Sequence, residues 1–308
     1  MTFVVAVAPE ARDRAPVHLA GMLARSAGDD IVLCAVIPPT WPPSPAKVDA
    51  EYRAHLTRVA TEALEQARDR LPEDLSSTTL IHHARSAPAG LLEVADRHDA
   101  RLIVVGSSSS GPIGRMTLGS ASDWLLHRSH VPVALTTRGY RCRPGARVRR
   151  VTAAFGGSDD ADQLVVAAAG VAASVGASLR IASFAVQSRP PYTSGVGREA
   201  AGSLVSEWAD EVRAAGRATL EQVKDLPLVP HPLEAVVGYG ETWDEALEDV
   251  EWQDGDVLVV GSSASGLVAR VFLGSRATKI VRHSPVPVMV VPRGAVDGLA
   301  ERAARPAQ

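Results

Sequence analysis

The sequence predicts two doubly wound α/β domains in tandem, each a five-stranded parallel sheet with helices on both faces. Three observations carry this. The chain has 308 residues, about two domains at roughly 150 residues each. Its strand-length apolar segments are near-continuous rather than alternating, the mark of parallel strands covered on both faces. And it repeats itself: residues 102–135 align with 257–290 at a constant offset of 155, with 15 of 34 positions identical and no gap.

In the first half, FVVAVA, DIVLCAVI, STTLIHHA, RLIVVGS and VPVALTT read as strands, being short, β-branched and apolar. Between them, Ala11–Ser26, Val48–Arg70 and Ala87–Arg97 carry helical spacing. In the second half the strands are VTAAF, LRIASFAV, HPLEAVVG, DVLVVGS and VPVMVVP, and Leu164–Ala177 reads as a buried helix too short to span a bilayer. The first strands align at an offset of 148, so the second half carries about seven extra residues. They are assigned to SRPPYTSGVGREAAGS, whose Pro, Gly and Ser predict a loop. The predicted boundaries are a first domain over 1–138, an Arg-, Gly- and Pro-rich linker over 139–148, a second domain over 149–293, and a tail over 294–308, as a short helix or disordered.

Composition removes several function classes. Hydrophobic residues make up 46% and charged residues 22%, with a formal net charge of -3, so disorder and a basic nucleic-acid or membrane surface are not expected. Of 32 basic residues only Lys47, Lys224 and Lys279 are lysines, and none follows a glycine loop as a P-loop requires. Cys34 and Cys142 form no CxxC pair, leaving no metal or dithiol motif. MTFVVAVAPEARDR lacks the basic start of a signal peptide, and a cytoplasmic location is expected.

The chemistry lies in VVGSSSSGPIGRMTLGS, which follows a strand and opens a helix. Glycines permit close backbone approach and a helix start presents free N–H groups, so the loop suits phosphate. The competing reading is structural: the glycines make the turn, and Ser120 caps the helix. Other signals are weaker. His82 and His83 are adjacent on a strand and point to opposite faces. His127 and His130 lack a third ligand. Gly238-Tyr239-Gly240 lacks the third glycine of a dinucleotide fingerprint. Trp243 and Trp252 read as packing residues, and the acidic run from Glu241 to Glu251 as a solvated helix face.

The strand–loop–helix–strand block resembles the universal stress protein family, whose loop has the form G-x2-G-x9-G-(S/T). The frame is Gly106, Ser109, Gly119 and Ser120 in the first half, and Gly261, Ala264, Gly274 and Ser275 in the second. LLEVADRHDARLIVVGS and VRHSPVPVMVVP also resemble family segments, and the resemblance covers about 290 residues. It implies strand order 3-2-1-4-5 in each half, and an intrachain pseudo-dimer through the last strands of the halves; a homodimer is compatible with it. It further implies a stress-response protein that acts by binding, in a family where some members hold ATP and others have lost the site. The carbonyl facing adenine maps to Val36 and Phe184.

Two departures weaken the ATP pattern. The second loop glycine is Ser109 or Ala264, and the family's first-strand Asp is Ala8 or Gly156. Asp159 and Asp160 stand close enough to substitute in the second half. That half is expected to bind better, because Gly156-Gly157-Ser158 is more open than Pro9-Glu10 and because Arg276 and Lys279 follow Gly274. The alternatives are an interaction protein with an empty cleft and, last, a weak ATPase.

Overall fold

A computed structural model describes residues 1–10, 13–39, 46–156, 159–186, 195–224, 232–262 and 273–304. The chain divides into two compact units, one built on residues 1–147 and the other beginning at Val148.

In the first unit, β1 (Thr2–Ala6), β2 (Asp30–Ile37), β3 (Ser77–His83), β4 (Ala100–Val105) and β5 (Val133–Leu135) lie in the order β3-β2-β1-β4-β5. Every pairing is parallel. The central strands are buried on both faces: Val4, Val5, Leu33, Ile103 and Val104 have no exposed surface. The helices are α1 (Ala15–Ala27), α2 (Ala46–Arg68), α3 (Ala87–Arg97) and α4 (Ser120–Arg128). Helix α1 starts with Pro16 in its first turn and stops at Gly28, whose φ of 72° is left-handed and whose N–H bonds the Ala24 carbonyl, a glycine C-cap. Helix α3 is capped by Ser86, whose hydroxyl accepts from the Ala89 N–H.

The second unit repeats the plan. Strands β6 (Arg150–Ala154), β7 (Ser178–Val186), β8 (Leu233–Gly240), β9 (Asp256–Gly261) and β10 (Val288–Val291) lie in the order β10-β9-β6-β7-β8, again all parallel. Counted from the start of each half, both sheets have the expected order 3-2-1-4-5. The helices are α5 (Asp159–Val175), α6 (Gly195–Lys224), α7 (Trp243–Glu248), α8 (Ser275–His283) and α9 (Arg293–Ala304). Gly106 directly follows β4 and Gly261 ends β9, so the two loops leave equivalent strands.

Two local expectations change. Residues 195–203, read from composition as loop, are the start of the 30-residue α6. A glycine inside a helix costs only about 1 kcal/mol, and extending an existing helix is cheap once its nucleus is formed. In α4 the cap is Gly119, extended at φ -84° and ψ 169°, and Ser120 is the first helical residue, not the cap.

The segment after β5 runs along the first unit. Gly139 N–H donates to Asp13 Oδ2 (2.8 Å), the Cys142 thiol to the His18 carbonyl (3.3 Å), and Arg147 Nη1 to the Arg25 carbonyl (2.5 Å).

Candidate functional site

The carboxyl ends of β1, β2 and β4 in the first unit open into a cavity of about 730 Å³, within the range of small-molecule sites and where open α/β sheets place ligands. One side is apolar, made by Val36 and Cys34 from β2 and by Ala87 and Leu91 from α3; the other holds Gly106–Ser109, Gly119–Ser122 and Arg138. The chain leaving β1 contributes Ala8, Pro9, Glu10 and Asp13.

The glycine loop closes on itself through main-chain bonds. Ser108 N–H donates to the Thr117 carbonyl (2.7 Å) and Gly111 N–H to the Ser108 carbonyl (3.2 Å). The Ser107 hydroxyl accepts from the Thr117 N–H at 2.7 Å. The far end of the loop is tied to Arg138. Gly114 N–H donates to the Arg138 carbonyl (2.9 Å), Arg138 N–H donates to the Arg115 carbonyl (3.0 Å), and the Arg138 guanidinium donates to the Gly111 carbonyl.

The loop's glycines differ in what requires them. A Cβ on Gly106 would lie 2.9 Å from Pro16 Cγ, so β4 and α1 meet too closely for any side chain there. A Cβ on Gly111 would lie 2.7 Å from the Thr117 Cβ. Gly114 has a φ of 79°, which only glycine adopts freely. Gly119 is different: its φ is ordinary and a Cβ would meet the Ser108 Cβ at a normal 3.6 Å. Nothing among the described residues demands glycine at 119, where the chain lines the cavity. No side chain caps α4, so its first-turn N–H groups, left without intrahelical partners, stand at the cavity wall.

Gly106, Ser109, Gly119, Ser120 and Val36 therefore line one cavity. Asp13 and Arg138 line it as well and were not singled out from the sequence. A signal for Arg138 existed: the 155-residue offset, carried three positions further, sets Arg138 against Arg293. Asp13 holds the entry to α1, accepting from the Ala15 N–H at 3.0 Å. Cys34 is buried, and burial pushes its thiol up to about 12, so it stays protonated.

In the second unit, Gly274 caps α8 as Gly119 caps α4, extended at φ -58° and ψ 160° with no side-chain cap, and Ser275 begins the helix. Gly156 is exposed, and a Cβ there would meet nothing within 4 Å. Phe184 lies on β7 paired with Gly238. Gly157, Ser158 and Ala264 lie outside the described residues. Lys279, on α8 after Gly274-Ser275, holds its ammonium 5.7 Å from the ring centroid of Trp243.

The weaker motifs find structural explanations. A Cβ on Gly238 would lie 2.8 Å from Val250 Cγ2 and closer still to the Ala246 carbonyl, and one on Gly240 would lie 2.5 Å from Glu245 Cβ. These glycines let α7 press onto β8. The acidic run holds that helix: Thr242 Oγ1 accepts from the Glu245 N–H, and Asp249 Oδ2 from the Tyr239 N–H. His82 Nε2 pairs with Glu93 Oε2 at 2.8 Å and His130 with Asp96 at 2.9 Å. Among the described residues no group of three or more His, Cys, Asp or Glu could hold a metal ion, and no helix is long and apolar enough to cross a membrane.

Twice in one chain, a doubly wound sheet thus has a Gly- and Ser-rich stretch of sequence between its fourth strand and a nine-residue helix with no side-chain cap. That plan defines a tandem doubly wound α/β protein whose first unit carries a cavity at the carboxyl ends of its strands. The model of the universal stress protein family matches residues 1–137 and 147–292; the chain belongs to that family and carries two of its domains. A universal stress protein of Mycobacterium tuberculosis is 36% identical over 296 residues, covering 95% of this chain and all of that one. One from Thermus aquaticus is 29% identical over 143 residues, 98% of its own length and 46% of this chain. Two solved structures share the fold. A universal stress protein from Archaeoglobus fulgidus has a TM-score of 0.60 at 19% identity, covering 94% of this chain and 98% of its own. A putative universal stress protein from Pseudomonas aeruginosa has 0.56 at 16%, covering 99% and 98%.

Proposed function

We propose that this chain is a stress-response protein that works by binding, and that the first-unit cavity takes an adenine nucleotide. The observation that carries this is the division of the cavity's walls. Val36, Cys34, Ala87 and Leu91 offer a surface for a flat base, while Ser107–Ser109, the uncapped start of α4 and Arg138 offer donors and positive charge for phosphates. Glu10 and Asp13 bring carboxylates to the same cavity, in place of the one missing at Ala8. Ser109 is small enough for a backbone approach to phosphate.

Binding rather than turnover fits the same residues. Cys34 is held protonated, and neither histidine nor lysine is among the described residues lining this cavity. Ala8 favours a second reading, an interaction protein whose cleft stays empty. A lost charged hydrogen bond is worth roughly 1.5–3 kcal/mol, about a tenfold to hundredfold in affinity.

The test is calorimetric titration of ATP into the wild type, Gly119→Val and Gly274→Val. Loss of heat in Gly119→Val places the nucleotide in the first unit, and loss in Gly274→Val places it in the second. No heat in any of the three supports the interaction reading.

A further inference from the structure

A second, smaller cavity of about 230 Å³ lies in the first unit, between the start of α1, Arg70 just beyond α2, and residues 138–141. Its lining is strongly one-signed. Arg14, Arg70, Arg138 and Arg141 all contribute, with His18 beside them and Asp13 as the only carboxylate among the described residues. That carboxylate is already engaged: its two oxygens accept from the N–H groups of Ala15 and Gly139 at 3.0 and 2.8 Å.

The arginines fall into two kinds. Arg14 is 8% exposed, with Nη2 3.4 Å from Gln66 Oε1, and Arg138 is held on the Gly111 carbonyl. Arg70 and Arg141 are exposed, and neither guanidinium donates a hydrogen bond among the described residues. Burial and then the charge of Arg70 hold Arg14 below its ordinary value; burial, then Arg141 and Arg70, do the same to His18. Positive charge here is crowded.

We propose that this cavity is an anion site for a phosphoryl group, of the size of phosphate or pyrophosphate. Guanidinium forks suit phosphate oxygens geometrically as well as in charge. Fixed Arg14 and Arg138 form the back of the site, while Arg70 and Arg141 are the two that close on the ligand. The site shares Asp13 and Arg138 with the larger cavity. The phosphoryl group therefore has two sources: a free inorganic anion, or the far phosphate of a nucleotide seated next door.

The probe is inorganic pyrophosphate, titrated calorimetrically into the full chain, the double variant Arg70→Gln/Arg141→Gln, and Gly119→Val. Both arginines are exposed, so the double variant should melt as the wild type does. Pyrophosphate is expected to bind the wild type and Gly119→Val alike, to weaken roughly tenfold for each arginine removed, and to shift the His18 ring resonances in NMR spectra. Absence of pyrophosphate binding to the wild type overturns the proposal. So does binding that survives in the double variant and disappears in Gly119→Val, which would place the anion in the larger cavity. ATP titrations separate the sources. A loss of ATP affinity in the double variant, with competition by pyrophosphate, identifies a nucleotide tail. Unchanged ATP binding beside weakened pyrophosphate binding identifies a free anion.

Discussion

Gly111 and Gly119 lie eight positions apart in one loop, and their replacement by alanine should separate folding from binding. At Gly111 the new methyl would sit 2.7 Å from Thr117 Cβ, about an ångström inside normal carbon contact. Thr117 cannot easily retreat, because its N–H and carbonyl are both bonded at 2.7 Å, to Ser107 and Ser108. Overpacking of this kind costs about 1–3 kcal/mol, offset by about 0.4–1 kcal/mol from a stiffer unfolded chain. At Gly119 the contact is an ordinary 3.6 Å. Alanine is a poorer helix cap than glycine by about 0.5–1 kcal/mol, and the same unfolded-chain gain cancels this. For a unit of this size the melting temperature moves about 2–4 °C per kcal/mol. Scanning calorimetry should therefore show Gly111→Ala melting roughly 2–8 °C lower and Gly119→Ala within about 2 °C of wild type. ATP titration should show Gly119→Ala binding at least about tenfold more weakly, as a lost charged hydrogen bond would. A Gly119→Ala protein that melts several degrees lower and binds ATP undiminished would refute the reasoning, since the glycine would then serve the fold.

Three further outcomes are expected. Cys34 should resist thiol reagents in the native protein at pH 8 and react once the chain is unfolded; because its folded value, about 12, exceeds the ordinary 9.0, its contribution to stability is complete below pH 9 and is lost as pH rises towards 12, which urea melts at pH 8 and pH 10.5 can measure. Asp256→Ala should destabilise the second unit by about 3–5 kcal/mol in urea denaturation, since Asp256 accepts two hydrogen bonds from Arg150 and lies 3.8 Å from Arg180, which is only 2% exposed. Gly238→Ala should cost about 3 kcal/mol or more in the same assay, because its methyl would overlap the Ala246 carbonyl.

The elements most legible in the sequence are those whose own residues determine them. DIVLCAVI and Ala87–Arg97 occupy the predicted spans because a fully apolar strand and a Ser-capped helix with an early proline are local signals. The start of α6 was hidden because its glycines and serines resemble a loop, and only the continuing helix overrides them. Gly106, Ser109, Gly119, Ser120 and Val36, which line the larger cavity, stood out through the repeated loop and its family resemblance. Asp13 and Arg138 were not, because each reaches the cavity from a segment with its own local explanation: an approach to a helix, and an Arg-rich stretch that composition assigns beside a linker. Spacing along α8 likewise gives no hint of the contact between the Lys279 ammonium and the Trp243 ring.

The bonds that close the loop from Ser107 to Thr117, and those that join it to Arg138, involve main-chain atoms at nearly every end. Ser109 takes part in none of them, so the outline does not depend on the residue at that position. Serine can replace glycine at 109 without the turn reopening, and the charge or bulk presented there can drift while the scaffold stays constant. A ligand arriving at such a loop has little ordering entropy left to offset. A cleft framed this way in the first unit is free to diverge in what it accepts long before the unit stops folding.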